Sequence, residues 1–124
     1  MILGISMIAV CEAFSLAERL GLEAQTLFDI SSKSSAQCWA LTSYCPVPGP
    51  VPASPANRDY APGFTAAMML KDLRLAQQAA GATATATPLG AAAANLYQLF
   101  VDGCAGGLDF SGIYRLIGKS DDKT

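Results

Sequence analysis

The stretch GFTAAMMLKDLRLAQQAAGATATATPLGAAAANLYQLF, residues 63–100, decides the fold class. Its first half sets Met68, Met69, Leu73, Ala76 and Ala80 along one side at helical spacing, with Thr65 as cap and Gly81 as stop. Its second half, Thr83 to Val101, is alanine-rich and reads as another helix, in which Pro88 either makes a kink or marks the true start. No charged residue occurs from Leu75 to Val101, yet Gln77, Gln78, three threonines, Pro88 and Asn95 interrupt the apolar run. That pattern is a buried helical pair and not a membrane span.

Toward the N-terminus, Met1 to Leu20 carries apolar residues at 3, 7, 10, 14 and 17 on one face, and Ile2, Ile5, Ile8 and Ala9 widen the expected burial. Gly21 suits the position after the helix end. No Ser, Thr, Asp or Asn precedes the first apolar turn, so the helix reads as entered partway along, or as a frayed natural start. A second helix is expected over 23–33, with Leu22, Leu27 and Ile30 facing in. After a serine-rich turn at 31–35, a short helix around 36–44 carries the only tryptophan, Trp39.

Six of the seven prolines then fall between 46 and 62, where PVPGPVPASPANRDYAPG cannot be helix or central strand. A loop this long tends to be functional or to wrap a partner. Beyond the helical pair, DGCAGG turns the chain into a last helix led by Asp109 or Ser111 and packed by Phe110, Ile113, Leu116 and Ile117, before a polar tail, KSDDKT. The expectation is one all-α domain, residues 1–124, of five to seven helices.

Composition agrees. Hydrophobic residues make up 52% and charged residues 15%, enough to bury a core. Much of that content is alanine, and with 11 glycines it lets helices approach closely. Histidine is absent, which removes Ser-His-Asp and Cys-His apparatus, HExxH zinc sites and a His proton shuttle unless another chain supplies the residue. A net charge of −2 with no basic run argues against a nucleic-acid partner.

The cysteines at 11, 38, 45 and 104 form no C-x-x-C pair, and no metal site is argued from them. Cys11 and Cys104 lie in apolar helical stretches and read as buried, reduced thiols, with a Cys38–Cys45 disulfide as the alternative for the other two. An intracellular, cytoplasmic chain is expected (mitochondrial matrix in a eukaryote), without membrane association. Residues 1–11 are too short to span a bilayer before Glu12 and lack the marks of a secretory signal.

Three constellations qualify as candidate sites. Trp39 and Tyr44, just ahead of the proline-rich loop, either line a pocket or pin the loop to the core. Lys71-Asp72 sits on a helix with Phe64 two turns before Lys71 on the same side, so the lysine either meets a ligand at an apolar surface or belongs to a solvated KDLR cluster. Gly103, Gly106 and Gly107 follow no strand and match neither a dinucleotide fingerprint nor a P-loop, so they read as a connecting turn.

As strings, MILGISMIAVCEAFSLAERLGLE, SSAQCWALTSYCPVPG, NRDYAPGFTAAMMLKDLRLAQQAA, TPLGAAAANLYQLF and GGLDFSGIYRLI resemble, in order, 3-hydroxyisobutyrate dehydrogenases of the β-hydroxyacid dehydrogenase family. The similarity runs from Met1 to about Ile117. It implies a helical bundle like the C-terminal domain of 6-phosphogluconate dehydrogenase, with the N-terminal Rossmann domain absent. The general acid/base lysine is expected before Met1, so no catalytic residue is assigned within the chain.

The resemblance further implies that Lys71 contacts an NAD cofactor, NADP being possible, that Asp72 beside it organises the site, and that Phe64 packs near the cofactor. Trp39 and Tyr44 match substrate-pocket aromatics. The implied partners are a small hydroxy acid, the missing Rossmann domain and further copies in a homo-oligomer. The implied activity is oxidation of 3-hydroxyisobutyrate to methylmalonate semialdehyde in valine catabolism, by an enzyme of which this chain is an incomplete part, inactive alone. Two alternatives stay open: a stand-alone helical association module, or a dehydrogenase for serine, glycerate or hydroxypropionate.

Overall fold

The computed structural model describes residues 1–118, and the tail KSDDKT lies outside them. Among the described residues the architecture is all-α, with no β-strand. Six α-helices occur: α1 (Ile2–Arg19), α2 (Ala24–Ser31), α3 (Trp39–Thr42), α4 (Ala66–Ala82), α5 (Pro88–Phe100) and α6 (Tyr114–Ile117). None is long and apolar enough to cross a membrane.

The pair expected from residues 63–100 forms the centre. Thr65 caps α4, its hydroxyl accepting from the Met68 amide at 3.2 Å. Pro88 marks the start of α5 and makes no kink. The polar link between the helices is held by Gln77, whose side-chain amide donates to the Thr87 hydroxyl at 3.1 Å. Gly81 does not stop α4, which continues to Ala82, and the left-handed residue in the turn is Ala84 with φ 55°.

The long helix α1 crosses this pair on small residues. A Cβ on Gly4 would come within 3.1 Å of the Leu73 and Met69 side chains, and one on Gly90 would stand 2.5 Å from the Met1 sulfur. A side chain at Gly4 would push Leu73 and Met69 by a few tenths of an ångström, and one at Gly90 would displace the flexible ends of Met1 and Gln77. Met7, Cys11, Phe14, Met69, Leu73, Ala93, Tyr97, Phe110 and Ile113 fill the core between them. The Tyr97 hydroxyl, fully buried, donates to the Phe110 carbonyl at 3.0 Å.

Several expected facings are corrected. Ile2 is 81% exposed and Ala9 is exposed, so burial on α1 is narrower than its composition suggested. On α4, Leu70 joins the buried stripe while Met68 is half exposed. No residue of α2 is buried; Leu27 packs partly on the core, but Leu22 and Ile30 face outward. That helix and α3 are shorter than the apolar pattern suggested. Periodicity finds a helix's apolar side without saying how much the neighbours cover.

The four cysteines are free, and Cys104 is exposed rather than buried. It takes φ 70° inside a π-turn, Val101–Ala105, that ends α5.

The proline-rich segment is an ordered strap over the core. Asn57 ties it internally: its carbonyl oxygen accepts from the Gly49 amide at 3.0 Å, and its side-chain amide donates to the Val51 carbonyl at 2.9 Å. The buried Tyr60 hydroxyl donates to the Pro46 carbonyl at 2.6 Å. Burial pushes this phenol up to about 12.

Candidate functional site

Short backbone bonds bring the end of this strap against the segment before α6. The Asp109 amide donates to the Tyr60 carbonyl at 2.9 Å, and the Phe110 amide to the Phe64 carbonyl at 2.7 Å. Asp109 caps the 3-10 turn Phe110–Ile113 that leads into α6, its carboxylate Oδ2 accepting from the Ser111 amide at 3.0 Å and the Ser111 hydroxyl at 2.5 Å. Its other oxygen, Oδ1, accepts three bonds: from the Tyr44 hydroxyl at 2.6 Å, the Gly63 amide at 2.9 Å and the Phe64 amide at 3.0 Å. The side chain is fully buried, so these five donors are what make its burial tolerable.

Around this node the aromatics converge. Trp39 stacks on Tyr44 with centroids 4.9 Å apart and planes at 24°. Tyr44 meets Phe110 at 5.2 Å, and Phe64 stands edge-on to Phe110 at 5.5 Å. Together with Leu3 and Gly63 these rings line an open groove of about 340 Å³. A neighbouring groove of about 480 Å³, lined by Ile2, Ser6, Cys38 and Ala40, shares Leu3 and Trp39 with it. The Trp39 indole stands between the two and is 52% exposed. Burial, then the bond to Asp109, raises the Tyr44 phenol well above its ordinary range, so the hydroxyl stays protonated at neutral pH.

Three of the expected residues, Trp39, Tyr44 and Phe64, therefore share one groove. Lys71 and Asp72 are not among its lining residues. Both are exposed on α4, and neither takes a hydrogen-bond or ion-pair partner among the described residues. Lys71 lies one turn from Met68 and Leu75, themselves 53% and 52% exposed. The exposed face of α4 thus sets Lys71 between apolar Met68 and Leu75, with Asp72 and Arg74 also exposed beside it. Asp109 was expected only as a helix leader, and its role as the groove's anchor has no local sequence signal beyond the D-x-S turn.

A family model described as NAD-binding of NADP-dependent 3-hydroxyisobutyrate dehydrogenase matches residues 1–117. The chain belongs to this family. Among relatives of this 3-hydroxyisobutyrate dehydrogenase family chain, a probable 3-hydroxyisobutyrate dehydrogenase of Mycobacterium tuberculosis is 52% identical over 94% of the chain and 40% of its own length. An NAD-dependent L-serine dehydrogenase of Pseudomonas aeruginosa is 44% identical, over 93% of the chain and 39% of its own. A solved structure of Mycobacterium tuberculosis 3-hydroxyisobutyrate dehydrogenase with L-serine superposes with a TM-score of 0.91 at 50% identity, covering 94% of the chain and 40% of that protein. The chain thus spans about two fifths of the length of the relatives it matches. Its helical fold is that of the family's C-terminal part.

Proposed function

We propose that this chain is the C-terminal helical domain, residues 1–124, of an NAD-dependent 3-hydroxyisobutyrate dehydrogenase. In this reading it closes over substrate and cofactor held by an N-terminal Rossmann domain. The observation that carries the reading is the aromatic groove of Trp39, Tyr44 and Phe64 built on the buried Asp109. It occurs in a chain whose family is described as NAD-binding.

The residues present fit a dinucleotide on one side. Lys71 offers a positive charge on an exposed face beside Met68 and Leu75, as an anionic cofactor with a flat ring system requires, and in this reading Asp72 takes part in organising the site once the cofactor is bound. NADP is the alternative cofactor. Bound NAD supplies a hydride acceptor for the alcohol carbon of 3-hydroxyisobutyrate, giving methylmalonate semialdehyde, a step of valine catabolism. Phe64, Tyr44 and Trp39 exclude water and hold the hydroxy acid in place. The general acid/base lysine is expected before Met1, so in this reading the chain alone is inactive. The proposed compartment is the cytoplasm, or the mitochondrial matrix in a eukaryote.

Two further readings have specific support. L-serine in the similar solved structure favours serine as a second substrate. The exposed apolar side chains Ile2, Leu16, Leu20, Leu89 and Leu99 favour association with further copies of the chain.

The test joins this chain to the Rossmann part of the Mycobacterium tuberculosis relative in place of that protein's own C-terminal two fifths. NAD reduction with 3-hydroxyisobutyrate by the joined enzyme, and none by the chain alone, is the expected result. A folded but inactive joined enzyme, or turnover by the chain alone, would sink the proposal.

A further inference from the structure

Asp109 Oδ1 is the one atom shared by both walls of the groove. Tyr44 reaches it from the segment after α3, while the Gly63 and Phe64 amides reach it from the segment before α4. The two walls are separated by some twenty residues of proline-rich strap; the Tyr60–Pro46 bond closes that strap and the Phe110 ring packs against both walls, but Oδ1 is where both walls hydrogen-bond to one atom. Gly63 belongs to the same fit: a Cβ there would stand 3.0 Å from the Tyr44 hydroxyl. A phenol has one proton, and Tyr44 gives it to a carboxylate that accepts only. Its ring, and not a hydroxyl proton, is what the groove can offer a ligand. The negative charge of Asp109 behind the phenol also disfavours a second carboxylate there.

We propose that Asp109 is the positioning residue of this groove: it locks the Tyr44 and Phe64 walls together through one oxygen and turns the groove toward the alkyl branch of a hydroxy acid, away from its carboxylate. The proposal rests on the dehydrogenase reading for its substrate and on the geometry alone for the anchoring.

Two experiments separate those parts. Proton NMR of the 124-residue chain at neutral pH is expected to show a slowly exchanging, downfield Tyr44 hydroxyl proton that disappears in Tyr44→Phe. Asp109→Asn, checked for folding by circular dichroism, moves it upfield. Ser111→Ala removes a competing donor from the carboxylate and moves it further downfield, which keeps the test available where Asp109→Asn does not fold. Absence of the resonance, or no response to Ser111→Ala, overturns the anchoring.

In the joined enzyme, Tyr44→Phe and Asp109→Asn are each expected to raise the hydroxy-acid KM about tenfold with little change in kcat. The double variant stays well below the product of the two, because Asp109 acts partly through Tyr44. Each also narrows the preference for 3-hydroxyisobutyrate over 3-hydroxypropionate, which lacks the methyl branch and forgoes about a tenfold contact. Multiplicative effects with an unchanged preference would make Asp109 a loop tie only and overturn the proposal. An inactive joined enzyme with the resonance in place supports the anchoring and defeats the dehydrogenase reading.

Discussion

The Asp109 node and the exposed face of α4 are built on opposite principles. At the node, five donors converge on one buried carboxylate, and aromatic rings from three segments pack around it. On α4, Lys71 and Asp72 stand in solvent with no hydrogen-bond or ion-pair partner among the described residues. The first region has its geometry fixed by the chain itself. The second has charge and apolar surface whose use depends on what binds there. Residues of the node should therefore act on stability and ligand together, and Lys71 and Asp72 on the exposed face of α4 on ligand alone.

The sharpest way to break that contrast is Asp109→Ala. It strands buried amides and hydroxyls, and about 3 kcal/mol of stability should go, roughly 12 °C in Tm by calorimetry. A loss below about 1 kcal/mol would mean the node is not held as described.

Tyr44→Phe is milder, because Oδ1 keeps its two backbone donors. About 1 kcal/mol is expected from urea unfolding. Alkali sharpens the picture further. The phenols of Tyr44, Tyr60, Tyr97 and Tyr114 are all raised, chiefly by burial. The folded state thus holds protons that the unfolded chain releases near pH 10. This contribution to stability is fully present below pH 10 and is lost as pH rises toward and beyond 12, which urea midpoints across that window would record. A flat profile would contradict the burial of these hydroxyls. The smallest effect belongs to Lys71→Ala, which should move the folding midpoint by no more than about 0.5 kcal/mol.

The same contrast explains what the sequence makes legible. Helical periodicity over 63–100, the Thr65 cap and Pro88 at a first turn are local signals, and the helices they mark are present. Residue type and position bring Trp39, Tyr44 and Phe64 forward, the family strings add their roles, and the fold gathers the three in one groove that Lys71 does not line. Asp109 escaped because its partners lie 45, 46 and 65 residues away, beyond the reach of any periodicity. Its only local trace is the bond to Ser111. The outward facing of Leu22 and Ile30 escaped for a related reason: an apolar stripe is a property of one helix, and its burial is a property of the neighbours. Cys104 was misread because a left-handed turn interrupts a run that composition alone extends.

The most direct test of the account is the kinetic split between its two regions. In the joined enzyme, Lys71→Ala should raise the KM for NAD about tenfold and leave the hydroxy-acid KM within about twofold, while Tyr44→Phe does the reverse. Both substitutions moving the same constant, or neither moving any, would contradict the assignment of α4 to the cofactor and of the aromatic groove to the substrate.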